Sequence, residues 1–184
     1  MYKHNIKFLA EGYVEEKLFM FLKIPQDMID NTQSMQKIPT RMVQNLEESH
    51  ERIVLALIDD DKTNVPDYFQ EFQENLEKVA HNLAYKKHLE RPHILIVVHP
   101  AMEKWLLEIA QMNEVNPATH NLPTDFKNLK KKVTGKESVL KDKDFDNFLT
   151  ELLEKSPELQ TLKLWLQELK QKALPDYPQN YPQD

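Results

Sequence analysis

Three short apolar runs, each ending abruptly in polar or acidic residues, organise this chain. They are Ile6-Lys7-Phe8-Leu9-Ala10 before Glu11-Gly12, Ile53 to Ile58 before Asp59-Asp60-Asp61, and His93 to Val98 before His99-Pro100-Ala101-Met102-Glu103. β-Branched and aliphatic residues favour buried strands, and consecutive carboxylates cannot follow them inward, so each strand is predicted to end where the polar residues begin. Between and after the strands, apolar residues recur at spacings of three and four, the mark of a helix with one buried face. The spacing predicts a first helix after Gly12 with Glu15, Leu18, Phe19 and Leu22 on one face, stopped by Pro25. A loop over Gln26 to Pro39 and a helix over Thr40 to His50, with Met42, Val43 and Leu46 inward, come next. A further helix is predicted from Asn64-Val65-Pro66 through Tyr68, Phe69, Phe72, Leu76, Val79, Ala80 and Leu83, and another over Ala101 to Met112 around Met102, Trp105, Leu106 and Ile109.

This alternation of strand and helix over about the first 112 residues reads as an α/β fold: a mainly parallel central sheet with all strand ends on one side. Beyond Asn113 the pattern turns polar as far as Leu122-Pro123. Three further helices are expected: a short one from Thr124-Asp125 towards Gly135, one carrying Phe145, Phe148, Leu149, Leu152 and Leu153, and one over Glu158 to Lys172 capped by Ser156-Pro157. The expected organisation is an α/β core over 1–122, a helical extension packed on it over 123–174, and a flexible, proline-rich tail over 175–184.

Composition narrows the class. At 184 residues the chain has room for one well-formed core, and 40% hydrophobic residues argue against global disorder. No apolar run approaches the ~20 residues that span a bilayer, and Met1 to Asn5 lack a signal pattern, so a soluble, cytoplasmic protein without a membrane partner is expected. The absence of cysteine excludes disulfides, thiolate nucleophiles and sulfur-ligated metal centres. A formal charge of -6 means that the chain as a whole does not attract nucleic acid, although bound cations would offset the negative charge locally.

That charge carries the candidate chemistry. Side chains alternate along an extended segment, which puts Asp59 and Asp61 on one side with Cα atoms roughly 6 to 7 Å apart. Parallel strands would bring Glu11 and Glu103 to the same edge, where open α/β sheets bind ligands. Four carboxylates there repel one another, by ~4 kcal/mol per pair at ~4 Å and an effective dielectric of 20. A divalent cation reverses that balance, and oxygen-only ligands favour Mg2+ or Mn2+. Each group also has a plainer reading: the three aspartates as a solvated turn, Glu11 as a helix cap, Glu15 as a surface residue in place of a ligand or orienting group. Gly12, one of two glycines, suits either a close phosphate approach or an ordinary bend. His99 is placed to shuttle a proton or touch phosphate, or to be satisfied by backbone, and Trp105 to anchor the helix that carries Glu103. The lysines of 127–143, among them Lys127, Lys130, Lys131 and Lys132, form a phosphate-contacting rim or a solvated helix face.

Leu9-Ala10-Glu11-Gly12-Tyr13-Val14-Glu15 followed by Leu57-Ile58-Asp59-Asp60-Asp61 resembles the Toprim domain, with its strand-end glutamate and paired aspartates. His99-Pro100-Ala101-Met102-Glu103-Lys104-Trp105 looks like the proline, glutamate and tryptophan block of small bacterial RloB-like and related Toprim proteins. The likeness spans roughly residues 5 to 110. It implies a Toprim-like three-layer domain with Glu11 as catalytic glutamate, Asp59 and Asp61 as a metal-binding pair, Glu103 as the further acid of a nuclease-like branch, and Asp60 and Glu15 as secondary candidates. It also implies phosphodiester chemistry with Mg2+ or Mn2+, nucleic acid as substrate, and bacterial defence; a protein partner and a homo-oligomer are both open to such a chain. A non-catalytic metal- or nucleotide-binding component of a defence complex is the alternative.

Overall fold

The strand that runs into the acids lies inside the sheet, flanked by strands on both sides. In the computed structural model, which describes residues 6–48, 53–60 and 64–172, six strands are ordered β2-β1-β3-β6-β5-β4. They are β1 (Ile6–Ala10), β2 (Ile29–Asn31), β3 (Ile53–Asp59), β4 (Phe72–Ala80), β5 (Leu83–His88) and β6 (His93–Val98). β2, β1, β3 and β6 are parallel, and β5 and β4 continue the sheet antiparallel. The helices are α1 (Tyr13–Phe21), α2 (Ile38–Glu48), α3 (Met102–Met112), α4 (Phe126–Val133), α5 (Lys143–Lys155) and α6 (Pro157–Lys172). The α/β class and mainly parallel sheet read from the sequence are therefore observed.

Alternation along β3 divides the core. Leu55 and Leu57 pack with α1, α3 and the carboxyl-terminal helices, whereas Val54, Ala56 and Ile58 pack with Ile38 and Met42 of α2 and with Phe69. Leu129, Val133, Phe148, Leu152, Leu162 and Leu166 join the first cluster, so α4, α5 and α6 share a core with the sheet.

Two predicted segments differ. Gln26 to Pro39 contains β2, which pairs with β1 from Phe8↔Ile29 to Ala10↔Asn31, and α2 begins at Ile38. A three-residue strand held by main-chain pairing carries no readable period. The larger correction concerns 64–83, which forms a short 3-10 turn at Asp67–Glu71 and then the β4–β5 hairpin instead of a helix. Leu76, assigned to the buried stripe, is 79% exposed. The reason is tertiary: β6 is buried along its whole length, and pairing Leu83↔Val98 through Lys87↔Ile94 satisfies an edge that a helix would leave open. Asn82, at φ 56°, supplies the left-handed residue of the turn. The side chains of Leu46 and Val79 and the predicted tail lie outside the described residues.

Candidate functional site

Chain order makes the crevice. From β1 the chain moves outward to β2, then crosses to β3 on the other side of β1, so the carboxyl ends of β1 and β3 flank a topological switch point. α1 starts directly after β1, and α3 starts directly after β6, next to β3. The amino ends of both helices, with their unsatisfied N–H groups and positive dipole ends, therefore face the same region.

A cavity of about 480 Å3 lies there, lined by Glu11, Gly12, Tyr13, Val14, Glu15, Gln33, Asp59, Glu103, Lys130, Thr134 and Gly135. Glu11, Glu15 and Glu103 are 7%, 5% and 3% exposed, so three carboxylates are largely withdrawn from water. Among the described lining residues, four carboxylates stand against one ammonium, that of Lys130. Like charges brought this close in a partly enclosed space repel one another more strongly than they would in open water.

Backbone and hydroxyl donors orient the acids. The Asp59 N–H donates to Glu11 Oε2 at 3.2 Å, the Met102 N–H donates to Asp59 Oδ1 at 2.9 Å, and Thr134 Oγ1 donates to Glu103 Oε1. β1, β3, α3 and the end of α4 are thereby linked through the very side chains that line the cavity. Gly12 has extended backbone, and a Cβ there would sit 3.1 Å from Glu15 Oε2. Trp105, fully buried, donates from Nε1 to the His81 carbonyl at 3.3 Å and seats α3.

Glu11, Gly12, Glu15, Asp59, Glu103 and Lys130 thus meet in one cavity, and Asp61 lies outside the described residues. Asp60 and His99 pair with each other at 2.7 Å on the surface and do not line it. Lys127 and Lys131 are exposed on α4, and Lys132 bonds the Asn121 carbonyl at 3.1 Å. Tyr13, Gln33 and Thr134 were not singled out in the sequence. The Tyr13 hydroxyl accepts from Gln33 Nε2 at 3.0 Å, which joins the loop after β2 to the first turn of α1. Tyr13 stands next to Gly12, but nothing local marks Gln33 or Thr134.

Among the described residues, no group of three or more His, Asp or Glu side chains is arranged to hold a metal ion. The donor chemistry nonetheless fits a hard cation: every candidate ligand is a carboxylate, and they surround a space instead of filling it.

A buried histidine lies at the other end of the sheet. Burial pushes His93, first residue of β6, down to about 4, with His88 and Arg91 adding to the effect. Its Nδ1 is 2.6 Å from the Tyr68 hydroxyl, and burial raises that phenol. No protein-family model, curated protein or solved structure matches the chain.

Proposed function

We propose that the protein is a divalent-metal-dependent nuclease, or a related phosphoryl-transfer protein acting on nucleic acid phosphodiesters, built on a Toprim-like fold. One observation carries this reading: Glu11 directly after β1, Asp59 at the end of β3 and Glu103 in α3, distant in the chain, line one cavity with a lysine beside them, and Glu11 and Glu103 are buried. The strand-end motifs that resemble Toprim domains contribute the same residues. Asp59 and Glu103, together with Asp61, would hold Mg2+ or Mn2+. When bound, the ion would offset the carboxylate charge and stabilise negative charge developing on phosphate oxygens.

The chain's own groups would do the rest. Glu11, fixed by the Asp59 N–H, takes the proton from a water as its oxygen bonds to phosphorus and the bond to the leaving oxygen breaks. Lys130 faces the phosphate as a point charge. Glu15 and Gly12 line the same cavity, and a side chain at Gly12 would crowd Glu15. A cytoplasmic place in bacterial defence with a protein partner belongs to this proposal as well.

The test is incubation of the full chain with end-labelled single-stranded and duplex DNA and RNA, with Mn2+, Mg2+ or EDTA, beside calorimetric titration with Mn2+. Cleavage that needs the ion and is lost in Glu103→Gln supports the reading. Mn2+ binding without cleavage of any substrate selects the non-catalytic metal-binding alternative. Equal Mn2+ binding by wild type and Asp59→Ala overturns both.

A further inference from the structure

We infer that Thr134 is a positioning residue for Glu103, so that α4 supplies a working wall of the site. The inference rests on the reading of Glu103 as a metal ligand. Glu103 lies in the first turn of α3 and is 3% exposed, which leaves its carboxylate dependent on protein partners for its orientation. One partner comes from 31 residues further along the chain: Thr134 Oγ1 donates to Glu103 Oε1. A hydroxyl on one oxygen fixes the plane of the carboxylate and the direction in which the group faces the cavity.

Thr134 is itself held in place. It is the C-cap of α4, its N–H bonded to the Lys130 carbonyl at 2.9 Å, and Leu129 and Val133 bury the helix in the core. Gly135 follows at φ 67°, a conformation that costs little only for glycine, and turns the chain away directly after the hydroxyl. No atom lies within 4 Å of a Cβ placed on Gly135, so backbone conformation, not space, calls for glycine there. Further along, the chain that follows is tied to the acid-bearing helix α1. Lys17, 4% exposed, donates to the Leu140 carbonyl at 3.0 Å and pairs with Asp146 at 2.6 Å. The hydroxyl therefore stands at the end of a helix anchored in the core by Leu129 and Val133, and Lys130 lies one helical turn earlier on the same element.

Residues that orient metal-ligating carboxylates typically change metal affinity roughly 10- to 100-fold when removed. The experiment is calorimetric titration of the full chain with Mn2+ alone, with the thermal midpoint recorded for each variant. Thr134→Val is expected to weaken binding by roughly tenfold or more, Thr134→Ser to restore most of it, and both to melt close to wild type. Thr134→Val combined with Glu103→Gln should bind no more weakly than Glu103→Gln alone, because the hydroxyl acts through that carboxylate. Should valine disturb the end of α4, Thr134→Ala carries the same expectation. Wild-type affinity in Thr134→Val beside lost affinity in Glu103→Gln overturns the positioning role and leaves the metal site standing. Wild-type affinity in Glu103→Gln, or no Mn2+ binding by wild type, overturns the reading of the site and this inference with it.

Discussion

Asp59 caps a helix that it does not belong to. Its Oδ1 accepts the Met102 N–H at 2.9 Å, whereas Ala101, the residue at the N-cap of α3, has no side chain able to do so. The last residue of β3 thus satisfies one of the orphan donors of the helix that carries Glu103, and the two acids are positioned together.

This double duty separates two effects of substitution. In Asp59→Asn the amide oxygen still accepts from Met102, while one charge leaves a cavity of four carboxylates; the metal-free protein should gain about 1 kcal/mol. Asp59→Ala gives up the cap as well, a loss of about 1 kcal/mol that cancels the gain. Urea unfolding in EDTA measures the difference. Added Mn2+ should raise the midpoint of wild type and leave both variants nearly unchanged.

The lysines of α4 should not act alike. Lys130 lines the cavity, Lys127 and Lys131 face solvent, and Lys132 is engaged with the Asn121 carbonyl. Lys130→Met is expected to lower the cleavage rate by roughly tenfold or more at saturating substrate. Lys127→Met should chiefly flatten the salt dependence of binding. Single-turnover rates at two salt concentrations compare them, and equal effects would place the phosphate elsewhere.

Lys17 and Asp146 offer a test of how the carboxyl-terminal helices are held. The Lys17 side chain is 5% exposed and that of Asp146 is 42% exposed. Asp146→Ala strips a buried ammonium of its carboxylate and should cost about 2 kcal/mol, less than for a fully buried pair because water reaches the aspartate. Lys17→Met in the same background should recover part of that loss in urea unfolding. A further loss would mean that the ammonium is stabilising without its partner.

His93 predicts an acid-sensitive core away from the site. Its folded-state value of about 4 lies below the ordinary 6.5, so between these the unfolded chain binds the extra proton and the folded one does not. The stabilisation is complete above about pH 6.5 and declines by roughly 3 kcal/mol as pH falls towards 4. Glu71, His88 and Arg91 surround the Tyr68–His93 pair and stay in place in His93→Gln. Unfolding free energies between pH 7 and pH 4.5 should therefore fall less steeply in that variant than in wild type.

Where a segment's own residues decide its structure, the sequence was readable. β1, β3 and β6 appear as apolar runs ending in polar or acidic residues, α3 as a stripe around Trp105, and Glu11, Asp59 and Glu103 meet because parallel strands end together. The hairpin was hidden because Tyr68, Phe69, Phe72, Leu76 and Leu83 have helical spacing, and only the need of β6 for a neighbour selects strands. Thr134 and Gln33 were hidden for a related reason. Their contribution depends on which distant element they meet, and a single threonine or glutamine carries no period and no unusual charge.

Gly12 gives the cavity a handle that involves no change of charge. A methyl group at this position would press against Glu15 Oε2 from 3.1 Å, close enough to push the carboxylate aside yet borne by backbone that any residue adopts. Gly12→Ala would leave every acid in the chain intact and only shift one of them by a fraction of an ångström. Geometry and electrostatics, which deletion of an acid alters together, can at this position be varied separately.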